Sequence, residues 1–277
     1  MIKISCMRKE DIPFCKGLTD VEGWGNKGND FRRLIDTEEE GCFVAWEGDR
    51  KLGMVTTTSY DSYAFLGSLI VLEEERRKGI GAELMRCALE YLEGKGVTTV
   101  ELDGVFAAVS LYRRFGFRDK YLSLRFRRQP LKSDEKYQLT LPPQASDEIA
   151  LFDRRKTGIK RERLISRLIG DFPDSVYVIK KKRMLGYAIV RRREGGFFAI
   201  GPLVAENPRL AETLVSGIIQ KYPGRILTIG VPAVNRDMVD ILLKNRFLHC
   251  PPSLRMYRGK KIAYEKHVYG IMGPEKG

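Results

Sequence analysis

Between a strand-like run, Phe65 to Leu72, and an apolar repeat of helical spacing lies Glu73-Glu-Glu-Arg-Arg-Lys-Gly-Ile-Gly81. The pattern Arg76-x-x-Gly79-x-Gly81 places three bases and two glycines where a strand hands over to a helix. At such a junction the first helical N–H groups lack partners and the helix dipole is positive, so an anion fits. Glycines let phosphate oxygens approach the backbone, and Arg76, Arg77 and Lys78 add charge. The segment is neither a Walker loop nor a three-glycine dinucleotide fingerprint. Taken alone it also fits a basic, glycine-bearing surface turn, with Glu73 to Glu75 as a solvated lead-in.

A second stretch narrows the choice. Leu111-Tyr112-Arg-Arg-Phe-Gly116-Phe117 sets a tyrosine on a short helix after the next strand, closed by Gly-Phe. Strand, Arg-x-x-Gly-x-Gly, helix, strand and Leu-Tyr-x-x-x-Gly-Phe, in that order, resemble the GNAT superfamily of acyl-CoA-dependent N-acyltransferases. The resemblance implies a mixed, mostly antiparallel sheet flanked by helices and splayed between its fourth and fifth strands. It further implies that acetyl-CoA is the co-substrate, with no metal. Carried over, Arg76, Arg77, Lys78, Gly79, Ile80, Gly81 and Ala82 hold the pyrophosphate, and backbone groups of Leu69, Ile70 and Val71 pair with the pantetheine arm and polarise the thioester. Tyr112 then protonates the departing thiolate, as a fixed phenol can. One departure is Val105, where many members carry an asparagine seven residues before the tyrosine.

The implied reaction passes an acetyl group directly to a primary amine in a ternary complex. A free alkylamine has a pKa near about 10 and must be neutral to attack, so a carboxylate or a water chain has to take its proton. Asp103, at the end of the strand entering the cleft, is the first candidate and Glu101, two residues back on the same face, the second; either also fits a solvated strand-end acid. Glu22-Gly-Trp24 with Asp30-Phe31 resembles the acceptor-side helix region of such proteins, making Trp24, Asp30 and Glu101 acceptor-binding candidates. His249 and His267 form no metal pair or triad, and Ser110 has no histidine partner for acyl-serine chemistry.

These groups need elements to hold them. Hydrophobic period gives strands at 2–7, 42–47, 51–59, 64–72, 98–103 and 120–127, and helical character around 10–18, 29–36, 80–94 and 107–115. Ile80, Leu84, Met85, Ala88, Leu89 and Leu92 form the apolar face of the 80–94 helix, which a Gly-Lys-Gly stop ends. A polar stretch with Pro130, Pro142 and Pro143 reads as a linker over 129–147, dividing a catalytic domain, 1–128, from a second domain, 148–277. In the latter, helical and basic character at 151–169 precedes strands at 175–180, 184–192, 197–204, 225–231 and 254–258 and helices at 208–221 and 236–245.

The halves echo each other. Phe198-Ala-Ile-Gly-Pro-Leu-Val204 resembles Ala64-Phe-Leu-Gly-Ser-Leu-Ile70, and Phe247 ends a helix-to-strand turn like that at Phe117. The fold expectation is therefore α/β, two tandem GNAT-like domains, the second resembling the degenerate C-terminal acetyltransferase-like domain of two-domain members. It keeps an asparagine, Asn235, but has Leu242 at the tyrosine position and Glu206-Asn-Pro-Arg209 in place of the glycine loop. That copy is expected to be catalytically silent.

Composition sets the remaining bounds. A net charge of +13 over 277 residues makes anionic partners plausible, while runs such as Lys180 to Arg183 and Arg191 to Arg193 read as solvated faces or edge protection. Five scattered cysteines without a Cys-x-x-Cys pair argue against a disulfide framework or structural zinc. With no signal-type or membrane-spanning run, a cytoplasmic enzyme is expected, acting on a small-molecule amine or a protein lysine, as a monomer or homo-oligomer. The rival readings are a CoA-binding sensor without turnover and a basic nucleic-acid-binding module, the latter without a recognised aromatic-basic signature.

Overall fold

The structure, a computed structural model, describes residues 1–130, 146–273 and 276. The chain forms two compact units that exchange segments. The first comprises Met1–Lys120, Arg255–Lys261 and Lys276; the second comprises Tyr121–Leu254 and Ile262–Gly273. Residues 121–128, expected in the first domain, thus pack with the second, and 255–261 pack with the first. Most of the expected linker lies outside the described residues.

In the first unit the order is β1 (Ile2–Cys6), α1 (Ile12–Val21), α2 (Gly28–Thr37), β2 (Phe43–Glu47), β3 (Arg50–Tyr60), β4 (Tyr63–Val71), α3 (Ile80–Gly94), β5 (Thr99–Gly104) and α4 (Val109–Arg114). β1 to β4 pair antiparallel and β5 joins β4 in parallel. Residues 255–259 flank β5 on its other side. Alternation divides the β3 side chains between two faces. Met54 lies in one buried cluster with Cys15, Leu18, Phe31 and Leu34 of α1 and α2. Thr57, of opposite parity, bonds the Gly41 carbonyl at 2.8 Å beside Tyr91 of α3. The six apolar positions that mark α3 in the sequence are all buried, each such side chain contributing on the order of 1–3 kcal/mol.

The second unit contains β6 (Arg118–Arg128, of which 121–128 lie here), α5 (Ser146–Thr157), α6 (Glu162–Asp171), β7 (Val176–Lys180), β8 (Met184–Arg192), β9 (Phe198–Ala205), α7 (Pro208–Lys221), β10 (Leu227–Pro232), α8 (Arg236–Lys244), β11 (Leu248–Gly259, split between the units at 254) and β12 (Val268–Gly270). β7, β8 and β9 pair antiparallel, β9 and β10 parallel, and β10 and β6 antiparallel. The expected mixed, mostly antiparallel sheets flanked by helices are present.

Three elements differ from the sequence reading. The helical stretch at 151–169 is two helices, α5 and α6, broken at Gly158 where φ is +72°. The strand expected at 254–258 begins at Leu248 and runs through Pro251 and Pro252, residues that ordinarily argue against a strand. β12 was not expected at all, because a three-residue strand carries too little periodicity to register.

Candidate active site

The parallel pairing of β4 with β5 runs from Tyr63 opposite Thr99 to Leu66 opposite Leu102 and ends there, although β4 continues to Val71 and β5 to Gly104. The two strands therefore separate at Gly67. Just beyond, the β3 to β4 register slips: Thr56 faces Gly67 but Met54 faces Ile70, and Ser68 takes a left-handed φ of +49°. This bulge turns the β4 backbone at the mouth of the opening. The Ser68, Thr56 and Thr58 hydroxyls are buried without a hydrogen-bond partner among the described residues, a costly state.

At the far end of β4 the basic loop enters α3. Gly79 is the helix N-cap at φ +90°, with open space where a Cβ would stand, and its carbonyl accepts from Ala82 N at 2.9 Å and Glu83 N at 3.1 Å. No side chain caps this end, so the N–H groups of Ile80 and Gly81 face outward from a positive helix terminus. A Cβ on Gly81 would come no closer than 3.5 Å to Leu111. The loop fits an anion, and the opening between β4 and β5 fits an extended arm leading from it.

The three bases are not equivalent. Arg76 donates from Nε to the Val71 carbonyl at 3.0 Å and from Nη2 to Glu22 at 2.8 Å, fastening the loop to the end of α1. Lys78 pairs with Glu75 at 2.9 Å, and Glu75 also accepts from Arg50 at 2.8 Å. Glu75 is consequently buried, with Lys78 and Arg50 holding its carboxyl below the usual range, so the solvated lead-in of the sequence reading is corrected at this residue. Arg77, at φ +67°, remains exposed. Arg76 thus occupies the Val71 carbonyl, one of the backbone groups expected to contact an arm.

Tyr112 lies on α4, just past the end of β5. Its ring packs so closely on Gly104 that a Cβ there would fall 2.6 Å from it, and it meets Phe117 edge-on at 6.3 Å between centroids. Burial pushes its phenol up to about 12, so it keeps its proton throughout the neutral range. Gly104 is therefore small because Tyr112 must be near.

The acids are placed differently from expectation. Asp103 accepts from Nε and Nη2 of Arg255, both at 2.8 Å, and Glu101 accepts from Lys120 at 2.6 Å, Tyr63 Oη at 3.2 Å and Arg255 Nη1 at 3.4 Å. All four charged side chains are fully buried, two anions against two cations, and the Arg255 guanidinium lies 4.7 Å from the Phe65 ring centre. Neither carboxylate is the solvated strand-end acid that the sequence allows. Asp30 is also occupied, accepting from Lys27 N at 2.9 Å as an N-cap partner of α2 and from Arg33 at 2.9 Å. Trp24 sits half-buried against the α1 and α2 core, two residues from the Glu22 that binds Arg76. Sequence reasoning missed Arg255 and Lys120, since nothing local ties them to β5.

Among the described residues, the second unit lacks the uncapped glycine-led helix start and the tyrosine. α7 begins at Pro208, which has no N–H to offer, and Asn207 closes the end by accepting from Leu210 N at 3.1 Å. Leu242 is buried in the core where the first unit has its tyrosine.

A splayed mixed sheet with an uncapped, glycine-led helix after its fourth strand defines the acetyltransferase-type α/β class, and comparison with known proteins agrees. Residues 14–117 match the acetyltransferase (GNAT) family and residues 149–270 match an acetyltransferase (GNAT) domain. Holothin acyltransferase of Pseudoalteromonas sp. (strain SANK 73390) is 27% identical over 264 residues, spanning 93% of this chain and 88% of that one. The crystal structure of a candidate acetyltransferase from Pyrococcus horikoshii superposes with a TM-score of 0.86 at 25% identity, over 100% of this chain and 96% of the other. A tandem GNAT protein from the clavulanic acid biosynthesis pathway shares the fold at a TM-score of 0.64 and 12% identity, over 95% of this chain and 100% of its own. The chain belongs to the GNAT superfamily as a two-domain acyl-CoA N-acyltransferase.

Proposed function

We propose that the first unit is an N-acetyltransferase that moves an acetyl group from acetyl-CoA directly to a primary amine held with it in a ternary complex. The observation that carries this reading is the parting of β4 and β5 beyond Leu66 and Leu102, bounded by the uncapped start of α3 and by Tyr112. Acetyl-CoA supplies a thioester carbonyl and a thiol leaving group. The backbone of Arg77 to Ala82 holds its pyrophosphate, with Arg77 the exposed charge. Backbone groups of Leu69 to Val71 orient the arm from the bulged β4, and Tyr112 presents the proton that the leaving sulfur takes up. Thr56, Thr58 and Ser68 offer hydroxyls to bound substrates.

The proton of the acceptor ammonium is a separate matter. Asp103 has both oxygens on Arg255, and Glu101 bonds Lys120, so these carboxylates better serve to fix the end of β5 than to receive it. In this reading the amine reacts from its neutral fraction and its proton leaves through water. The acceptor is a small-molecule amine or a protein lysine, and holothin acyltransferase supports acyl transfer by a chain of this architecture. No helix among the described residues is long and apolar enough to cross a membrane, and the free thiols suit a reducing cytoplasm. Thiol release from acetyl-CoA across a panel of amines tests the proposal; release with no amine of the panel would oppose it.

A further inference from the structure

We infer that the second unit has exchanged an acyl-CoA cleft for a peptide-binding one, and that the peptide is the chain's own segment Val268 to Met272. The inference rests on reading the first unit's splay as the acyl-CoA site. In the second unit, β9 and β10 pair in parallel from Phe198 opposite Leu227 to Ile200 opposite Ile229, and the pairing stops at Gly201. Gly201 lies 134 residues after Gly67, where β4 and β5 part. The two copies therefore open at the same point.

In the second, the opening is filled. β12 pairs antiparallel with β9, Val268 opposite Val204 and Gly270 opposite Leu203, and Ile271 N donates to the Gly230 carbonyl of β10 at 2.9 Å. One short segment thus bonds to both of the separated strands, as an added β-strand does when a peptide docks on a sheet edge. Three glycines clear its path. A Cβ on Gly201 would fall 2.1 Å from the Ile271 carbonyl oxygen, one on Gly230 would fall 2.6 Å from the Ile271 side chain, and one on Gly270 would fall 3.0 Å from Leu203. Arg191, itself buried, donates from Nε to the Gly201 carbonyl at 3.1 Å and from Nη2 to the Met272 carbonyl. Asn235, the asparagine that this copy keeps, donates to the Val268 carbonyl at 2.7 Å and the Glu265 carbonyl at 3.1 Å. Val268, Tyr269, Ile271 and Met272 are all buried.

The cleft is consequently selective for an extended apolar peptide with a glycine at its centre, and the closed helix start at Asn207 and Pro208 withholds the anion site that acyl-CoA needs. Each chain should bind one acyl-CoA. Hydrogen exchange on the full chain tests this. Amides of 268–272 should exchange about a hundredfold or more slower than the same sequence as a free peptide. Ile271→Asp should speed exchange about tenfold or more in 268–272 and 227–232 while leaving 63–71 and 80–94 unchanged. Gly230→Val, which meets chiefly the Ile271 side chain, should do the same if the first variant fails to fold. Native mass spectrometry with acetyl-CoA should show one equivalent per chain. Free-peptide exchange at 268–272 in the parent chain, or a second bound equivalent, would overturn the inference. A protected segment with no acetyl-CoA bound would uphold the filled cleft and overturn the first-unit reading instead.

Discussion

Arg255, on the part of β11 that packs with the first unit, grips both carboxylate oxygens of Asp103 at 2.8 Å at the end of β5. These residues stand 152 positions apart in the chain, so the last long strand of the protein completes the acid end of the first cleft. Removing one partner leaves an uncompensated buried charge, which costs about 3–5 kcal/mol. Arg255→Leu and Asp103→Asn should each destabilise by that amount in denaturant unfolding, and the double variant should lose less than the sum of the two. Additive losses would mean the pair is not coupled.

The same exchange predicts that residues 1–147 alone will not make a working enzyme. That fragment lacks the stretch 255–261, leaving β5 without its outer neighbour and Glu101 and Asp103 without Arg255. Circular dichroism should show a non-cooperative melt, and acetyl-CoA should not bind. A cooperative melt with parent-like affinity would contradict this.

Gly81, the second residue of α3, has room for a small side chain, so Gly81→Ala should bind acetyl-CoA within about threefold of the parent, as the closest approach is 3.5 Å. Gly81→Asp places a negative charge at the pyrophosphate position and should weaken binding about tenfold or more with little change in Tm. Calorimetric titration of both variants separates charge from fit.

The pH dependence follows from two groups. Burial holds the Tyr112 phenol at about 12, so its proton-donating form persists well above the ordinary tyrosine range. With Asp103 and Glu101 in ion pairs, kcat/KM should rise with pH as the acceptor amine deprotonates, towards about 10 for a simple alkylamine. No descending limb should appear below about pH 10. A descending limb centred near about 9 to 10 would show that the phenol is not so displaced or that another acid acts.

Much of the fold could be read from the chain because its signals are local. The i, i+4 repeat from Ile80 to Leu92, the glycines at 79 and 81, and the alternation of β3 and β4 each lie within one element. The uncapped glycine start of α3 and the place of Tyr112 on α4 share that property. What escaped the sequence depends on pairing between distant segments. Asp103 looks like a free acid until Arg255 is brought beside it, and Glu75 looks solvated until Arg50 and Lys78 close on it. Asp30 carries the N3 position of a capping box, a pattern visible locally but read as a substrate contact. β12 is invisible for a further reason: its stability comes from the two strands it bridges, and three residues carry no period of their own.

The central claim, acetyl transfer in the first unit with Tyr112 as proton donor, is tested most directly by comparing the parent chain with Tyr112→Phe on the best amine of the panel, while measuring acetyl-CoA affinity on both. The expected result is a fall in kcat of about a hundredfold or more with acetyl-CoA Kd within about twofold. Unchanged turnover in the variant, or a parent chain that binds acetyl-CoA yet releases thiol with no amine, would contradict it.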